Sequence, residues 1–130
     1  MAAILDRKDE VEVEVNWEDQ KMINAFSWLN MRLHEIGAEI EKKKEEAQVL
    51  EDAGGEVVFS EDDVIKVGFG RLFFLTSREE AERIIEEKKA KTAEKILELE
   101  GELATIKQTI ADTKVHLYGK FKNSINLEED

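Results

Sequence analysis

The sequence contains two histidines, His34 and His116. Neither has a second His or Cys at ligand spacing, so no metal-ligand set forms around them; both read as ordinary surface residues. The acidic run Glu61-Asp62-Asp63 lacks the ligand spacing of a calcium loop and reads as a solvated turn. Gly68-Phe69-Gly70 is not a nucleotide loop, because Phe73 stands where the third glycine belongs and the next helix starts too late. Carboxylates are plentiful, but on solvated helix faces nothing desolvates a pair or drives its pKa values apart, as acid–base catalysis needs. These residues predict no enzyme, no metal and no cofactor. What remains for function is apolar surface, and it gathers in two places.

One is the stretch Val64 to Leu75, which holds three of the chain's six Phe, β-branched residues at its start and two glycines near its middle. That composition predicts strand, turn, strand, with Ile65, Val67 and Phe69 on one face of the first strand. In the second, Leu72 and Phe74 share one face and Phe73 and Leu75 the other. A lone strand pair is marginal in water, and apolar faces with free edges invite pairing with other chains. The hairpin is therefore expected to be an assembly joint. The other gathering is Trp17, Met22, Ile23, Phe26 and Trp28 near the start of one long segment, with Leu117, Tyr118 and Phe121 near the end of the other and Ile125 and Leu127 beyond. These two groups meet at one end if the segments pair antiparallel, where they form a binding patch or close the end against fraying.

Both long segments must be helices. Of 130 residues, 38% are charged and only 7% aromatic, and there is no Pro. Charged, Pro-free sequence with a 3.5-residue period is the mark of long helix or coiled coil. In the first, Phe26, Leu33, Ile40 and Ala47 recur every seventh residue, interleaved with Met22, Leu29, Ile36, Lys43 and Leu50. Asn16 is a good N-cap with Glu18 and Asp19 in the first turn, and Gly54-Gly55 is expected to stop the helix. In the second, Ser77-Arg-Glu-Glu80 is a capping box. Its seam runs Ile96, Leu103, Ile110, Leu117, interleaved with Ile85, Thr92, Leu99, Ile106, Thr113. Gly101 falls outward.

The expected organisation is a single domain: a flexible tail over 1–15, helix over 16–53, linker and β-hairpin over 54–76, helix over 77–122, and a C-terminal tail over 123–130. The fold class is mostly α, a long antiparallel two-helix coiled-coil hairpin with a β-hairpin between the helices. Val11 to Val15 alternates apolar and acidic residues, as a short strand or an extended tail would. With the hairpin ends of both helices level, Leu33 is expected to meet Leu99, Phe26 to meet Ile106, and Lys43 to face Lys89, both lysines snorkelling toward Glu39, Glu46 or Glu86.

The net charge of -12 argues against nucleic-acid partners. The absence of Cys excludes disulfides and thiolate metal sites. No apolar run approaches the roughly 20 residues a membrane span needs, and the N-terminus lacks the apolar core of a signal peptide. A cytoplasmic protein is expected.

Asn16-Trp-Glu-Asp-Gln20, Ile40-Glu-Lys-Lys-Lys44, Leu50-Glu-Asp-Ala53, the Gly70 to Phe73 turn, Leu117-Tyr-x-Lys-Phe121 and Asn126-Leu-Glu together resemble the prefoldin family, on its β-type side. The likeness covers about Val11 to Glu129. It departs at Lys66-Val67, where the family has Pro-Tyr, and at Arg71, where it has Asp. The resemblance implies an ATP-independent cytosolic co-chaperone: a heterohexamer of two α-type and four β-type subunits whose hairpins join in a β-barrel hub. Its coiled-coil tips hold unfolded actin, tubulin and other clients and deliver them to the cytosolic group II chaperonin. Carried onto this sequence, Val64, Ile65, Val67, Phe69, Gly70, Leu72, Phe73, Phe74 and Leu75 would build the hub. Trp17, Met22, Ile23, Phe26, Trp28, Leu117, Tyr118, Phe121, Ile125 and Leu127 would touch clients. A coiled-coil adaptor with one folded partner is the alternative.

Overall fold

The structure is a computed structural model that describes residues 15–69 and 71–121, the side chain of Phe69 excepted. The element order is α1 (Trp17–Phe59), β1 (Val64–Phe69), β2 (Leu72–Ser77) and α2 (Arg78–Phe121). Most of the Val11 to Val15 run, Gly70, Ile125 and Leu127 lie outside the described residues. The chain divides into two compact units. Unit 1 takes α1 up to Ala38 and α2 from Gly101; unit 2 takes Glu39–Glu100, including the β-hairpin.

Helix α1 opens with a reciprocal cap. The Asn16 side-chain oxygen accepts the Asp19 N–H at 2.9 Å, and the Asp19 carboxylate accepts the Asn16 N–H at 3.1 Å. This satisfies two of the donors that a helix start leaves open. At the start of α2, Ser77 Oγ accepts the Glu80 N–H at 3.2 Å. The returning half of that capping box is not made by Glu80, whose carboxylate instead takes the Arg83 guanidinium.

Two expectations need correction. Helix α1 does not stop at Gly54-Gly55 but runs through them to Phe59. Gly54 stands seven residues after Ala47 and Val57 seven after Leu50, so the apolar seam continues past the glycines. Val57 is buried with Ala81 and Ile85, under Ala53, Ile65 and Val67. The longer helix also moves the register by one heptad. Level ends at Ala53 would set Gly54 against Arg78 and Asp19 against Thr113. Instead, in unit 2, a Cβ on Gly54 would lie 3.6 Å from Ile85 Cγ2, and in unit 1 Asp19 pairs with Lys120. Lys43 and Lys89 consequently do not share a layer. Lys43 bonds Glu46 at 3.0 Å, and Lys89 reaches Glu51 at 3.0 Å and Glu86 at 3.4 Å.

The core of unit 1 is Phe26, Ile36, Ile106, Ile110, Leu117 and Phe121, with Arg32 bridging to Glu102 of the antiparallel helix at 3.1 Å. That of unit 2 is Ile40, Leu99 and the cluster beneath the hairpin. Gly101 is exposed, and a Cβ there would touch nothing within 4 Å. Gly101→Ala should therefore stabilise the chain by about 1 kcal/mol. Thermal unfolding followed by circular dichroism will show this as a raised midpoint.

Candidate functional site

Strands β1 and β2 pair antiparallel, with Ile65 opposite Thr76, Val67 opposite Phe74 and Gly68 opposite Phe73. Alternation gives the hairpin two faces. On the inner face Ile65 and Val67 are half-buried against the cluster of Val57, Ala81 and Ile85, on which Ala53 also packs. On the outer face the Phe73 ring lies over Gly68. A Cβ at Gly68 would sit 2.5 Å from Phe73 Cε1 and 2.6 Å from Cδ1, so only glycine leaves room for the ring. The Lys66 ammonium stands 4.6 Å from the centroid of the same ring. Leu72 is 75% exposed, Leu75 70% and Phe73 63%, and Val64 and Phe74 are exposed too. The sheet has two strands, so among the described residues each strand has an unpaired edge. Of the expected hub residues, Ile65 and Val67 turn to the helices, while Val64, Leu72, Phe73, Phe74 and Leu75 meet solvent. Exposed large apolar side chains beside unpaired strand edges are the kind of surface with which other chains pair.

The linker before β1 is held in place. The Arg78 guanidinium donates to the Ser60 carbonyl and, at 3.0 Å, to that of Asp62, and Ser60 Oγ accepts the Asp62 N–H at 3.2 Å.

In unit 1 the expected contact residues separate by burial. Phe26, Leu117 and Phe121 are buried; they close the end of the helix pair and present no surface. Met22, Ile23 and Tyr118 are half-buried. Trp17 is 71% and Trp28 57% exposed. Eleven residues separate the two tryptophans, close to three helical turns, so they share one side of α1. Met31, exposed and one turn beyond Trp28, extends that side. Sequence reasoning passed over Met31, although its spacing of three from Trp28 was visible. Val115, exposed on α2, was passed over as well.

The other feature that was missed is a buried carboxylate. Asp19 is 3% exposed and takes a hydrogen bond from the Lys120 ammonium. That bond, reinforced by the Asn16 N–H and the nearby charge of His116, holds the Asp19 carboxyl below the usual carboxylate range against the opposing effect of burial. Asp19 lies seven residues before Phe26 and Lys120 seven after Thr113. Both therefore occupy seam positions, and an ion pair terminates the apolar seam.

His34 and His116 are both exposed. Among the described residues no group of three or more His, Cys, Asp or Glu side chains could hold a metal ion, and no helix is long and apolar enough to cross a membrane.

Residues 20–124 match the family described as prefoldin subunit. Over its whole length the chain is 39% identical to prefoldin subunit 4 of Homo sapiens, covering 98% of that protein. The chain belongs to the prefoldin family. The same identity and coverage hold for prefoldin subunit 4 of Bos taurus. Prefoldin subunit 4 of Saccharomyces cerevisiae is 33% identical over 88% of this chain and 90% of its own. The fold is shared with the crystal structure of the prefoldin beta subunit from Thermococcus strain KS-1. The TM-score is 0.72 at 16% identity, covering 84% of this chain and 96% of that one. As a prefoldin subunit, the chain is a part of a co-chaperone assembly and associates with other prefoldin subunits.

Proposed function

We propose that this chain is one β-type arm of a heterohexameric cytosolic prefoldin that captures non-native proteins without ATP and passes them to the group II chaperonin. Hairpin surface carried by Val64, Leu72, Phe73, Phe74 and Leu75 enters the shared β-barrel hub. Clients, actin and tubulin among them, are held in unit 1. The observation that carries the client reading is the exposed side of α1 with Trp17, Trp28 and Met31. Large, polarisable side chains on an otherwise charged helix give adaptable apolar contacts. Each contact is weak, and several arms acting together hold a chain of no fixed shape. Tyr118, Met22 and Ile23 contribute from their half-buried positions. Phe26, Leu117 and Phe121 support the contact surface from beneath.

Trp17→Ser, Trp28→Ser and Tyr118→Ser, made together in the reconstituted complex, test this reading. The expected result is a several-fold rise in the amount of complex needed to suppress aggregation of chemically unfolded actin, with the native mass of six different chains unchanged. Unaltered suppression, or outright loss of one folded partner instead, would replace the holdase reading by that of an adaptor.

A further inference from the structure

The outer face of the hairpin has a cation at its centre. Alternation along the paired strands puts Val64 with Ser77, Lys66 with Leu75, and Gly68 with Phe73 on that face. Val64, Leu75 and Phe73 are exposed apolar side chains, and Lys66, in the middle row, is exposed among them. Its ammonium lies 4.6 Å from the centroid of the Phe73 ring. Among the described residues it makes no ion pair.

The charge of the hairpin runs against that of the chain. From Val64 to Ser77 there are two cations, Lys66 and Arg71, and no Asp or Glu, although the whole chain has 31 acidic residues against 19 Lys and Arg. The acidic run Glu61-Asp62-Asp63 directly precedes the strand, yet none of its carboxylates pairs with Lys66.

A lysine that only keeps a free strand from aggregating directs its charge into water at the sheet edge. Lys66 instead rests on an aromatic ring in the middle of the face, where a covering chain closes over the charge together with the ring. An ammonium shut off from water without a counter-charge is costly. A carbonyl oxygen would accept its hydrogen bond and leave the charge in place, whereas a carboxylate offsets both.

We propose that the neighbouring prefoldin subunit covering this face presents an Asp or Glu to Lys66, set among apolar side chains that meet Phe73 and Leu75. Lys66 thereby selects the neighbour, because a subunit without an acid at that place would leave the ammonium unpaired. The inference rests on the hub reading of the hairpin and adds to it the chemistry of the partner.

The test uses full-length chains and the reconstituted complex. Lys66 is exposed in the free chain, so Lys66→Met and Lys66→Glu should keep its helix content and thermal midpoint. In the complex, titration should show Lys66→Met weakening subunit association about tenfold and Lys66→Glu about a hundredfold or more. A carbodiimide, which joins an amine to a carboxylate in contact with it, applied while the complex assembles, should link Lys66 to an Asp or Glu of another subunit. Replacing that acid by Lys should restore association of the Lys66→Glu chain. Lys66→Met chains that associate as tightly as wild type, or more tightly, would overturn the proposal and leave Lys66 as a guard of the free hairpin. So would a Lys66 that links to no other subunit, or only to Glu61, Asp62 or Asp63, and so would a charge swap that restores nothing. Phe73→Asp separates this inference from the reading beneath it. Loss of Phe73→Asp from a complex that Lys66→Glu enters normally would leave the hub standing and remove the ion pair. Normal entry of both variants would remove the hub as well.

Discussion

Phe73→Asp removes the chain from its complex. The ring lies on the outer face of the hairpin, 63% exposed in the free chain and seated over Gly68, so the free chain has no core to lose there. In the proposed hub other subunits cover that face, and the substitution would place an unpaired carboxylate where an aromatic ring belonged. Even after local relaxation, this costs on the order of 4 kcal/mol, about a thousand-fold in affinity. Native mass spectrometry after mixing with the other subunits should find the variant free while its helix content matches wild type. A variant that entered the complex normally would remove the hairpin from the hub. Gly68→Ala probes the same surface without adding charge, because it must displace the Phe73 ring.

Asp19→Asn unfastens the end of the helix pair in unit 1. The wild-type carboxylate joins the Asn16 cap to the Lys120 ammonium across to α2. Asparagine keeps the size and loses the charge that the lysine requires. Thermal unfolding by circular dichroism should show a midpoint lower by several degrees at neutral pH. The pH dependence follows from the sign of the shift. Because the folded-state pKa of Asp19 is lowered from its ordinary value of 3.8, its contribution is fully present above about pH 4 and is lost as pH falls through the folded value. Wild type and Asp19→Asn should therefore converge in stability on acidification. A gap that stayed constant down to strongly acidic pH would mean that the carboxylate's charge is not what holds this end.

The heptad seam, both N-caps and the alternation of the hairpin were legible in the sequence because each depends on neighbours a few residues apart. The end of α1 was misread because Gly54-Gly55 was weighed alone. Two helical glycines cost about 2 kcal/mol together. Burying Val57 against Ala81 and Ile85 returns about 1.5–3 kcal/mol, enough to carry the helix across. The pattern contained the answer, since Gly54 and Val57 continue the two seam rows. The register error followed directly, because a register inferred from level ends inherits any mistake in where an end lies. Asp19 and Lys120 were hidden for another reason. A charge in a terminal helix turn ordinarily serves the dipole in solvent, and only the partner helix reveals that both occupy seam positions. Phe121 lies off the seam, so its burial depends on how the last turn of α2 meets α1, which no periodicity reports. The proposed client contacts and hub depend on other chains, and for these the sequence offers only unclaimed apolar surface.

The clasp of Arg78 on the Ser60 and Asp62 carbonyls has a kinetic consequence. It fixes the strand entry before any other subunit arrives, so the ordering entropy of the linker is met during folding of the free chain and not at the encounter. Association should then behave as the docking of a preformed edge, with a rate set by collision and orientation. Loosening the clasp would turn the same encounter into coupled folding and binding, and the loss would be felt first in how fast the complex forms.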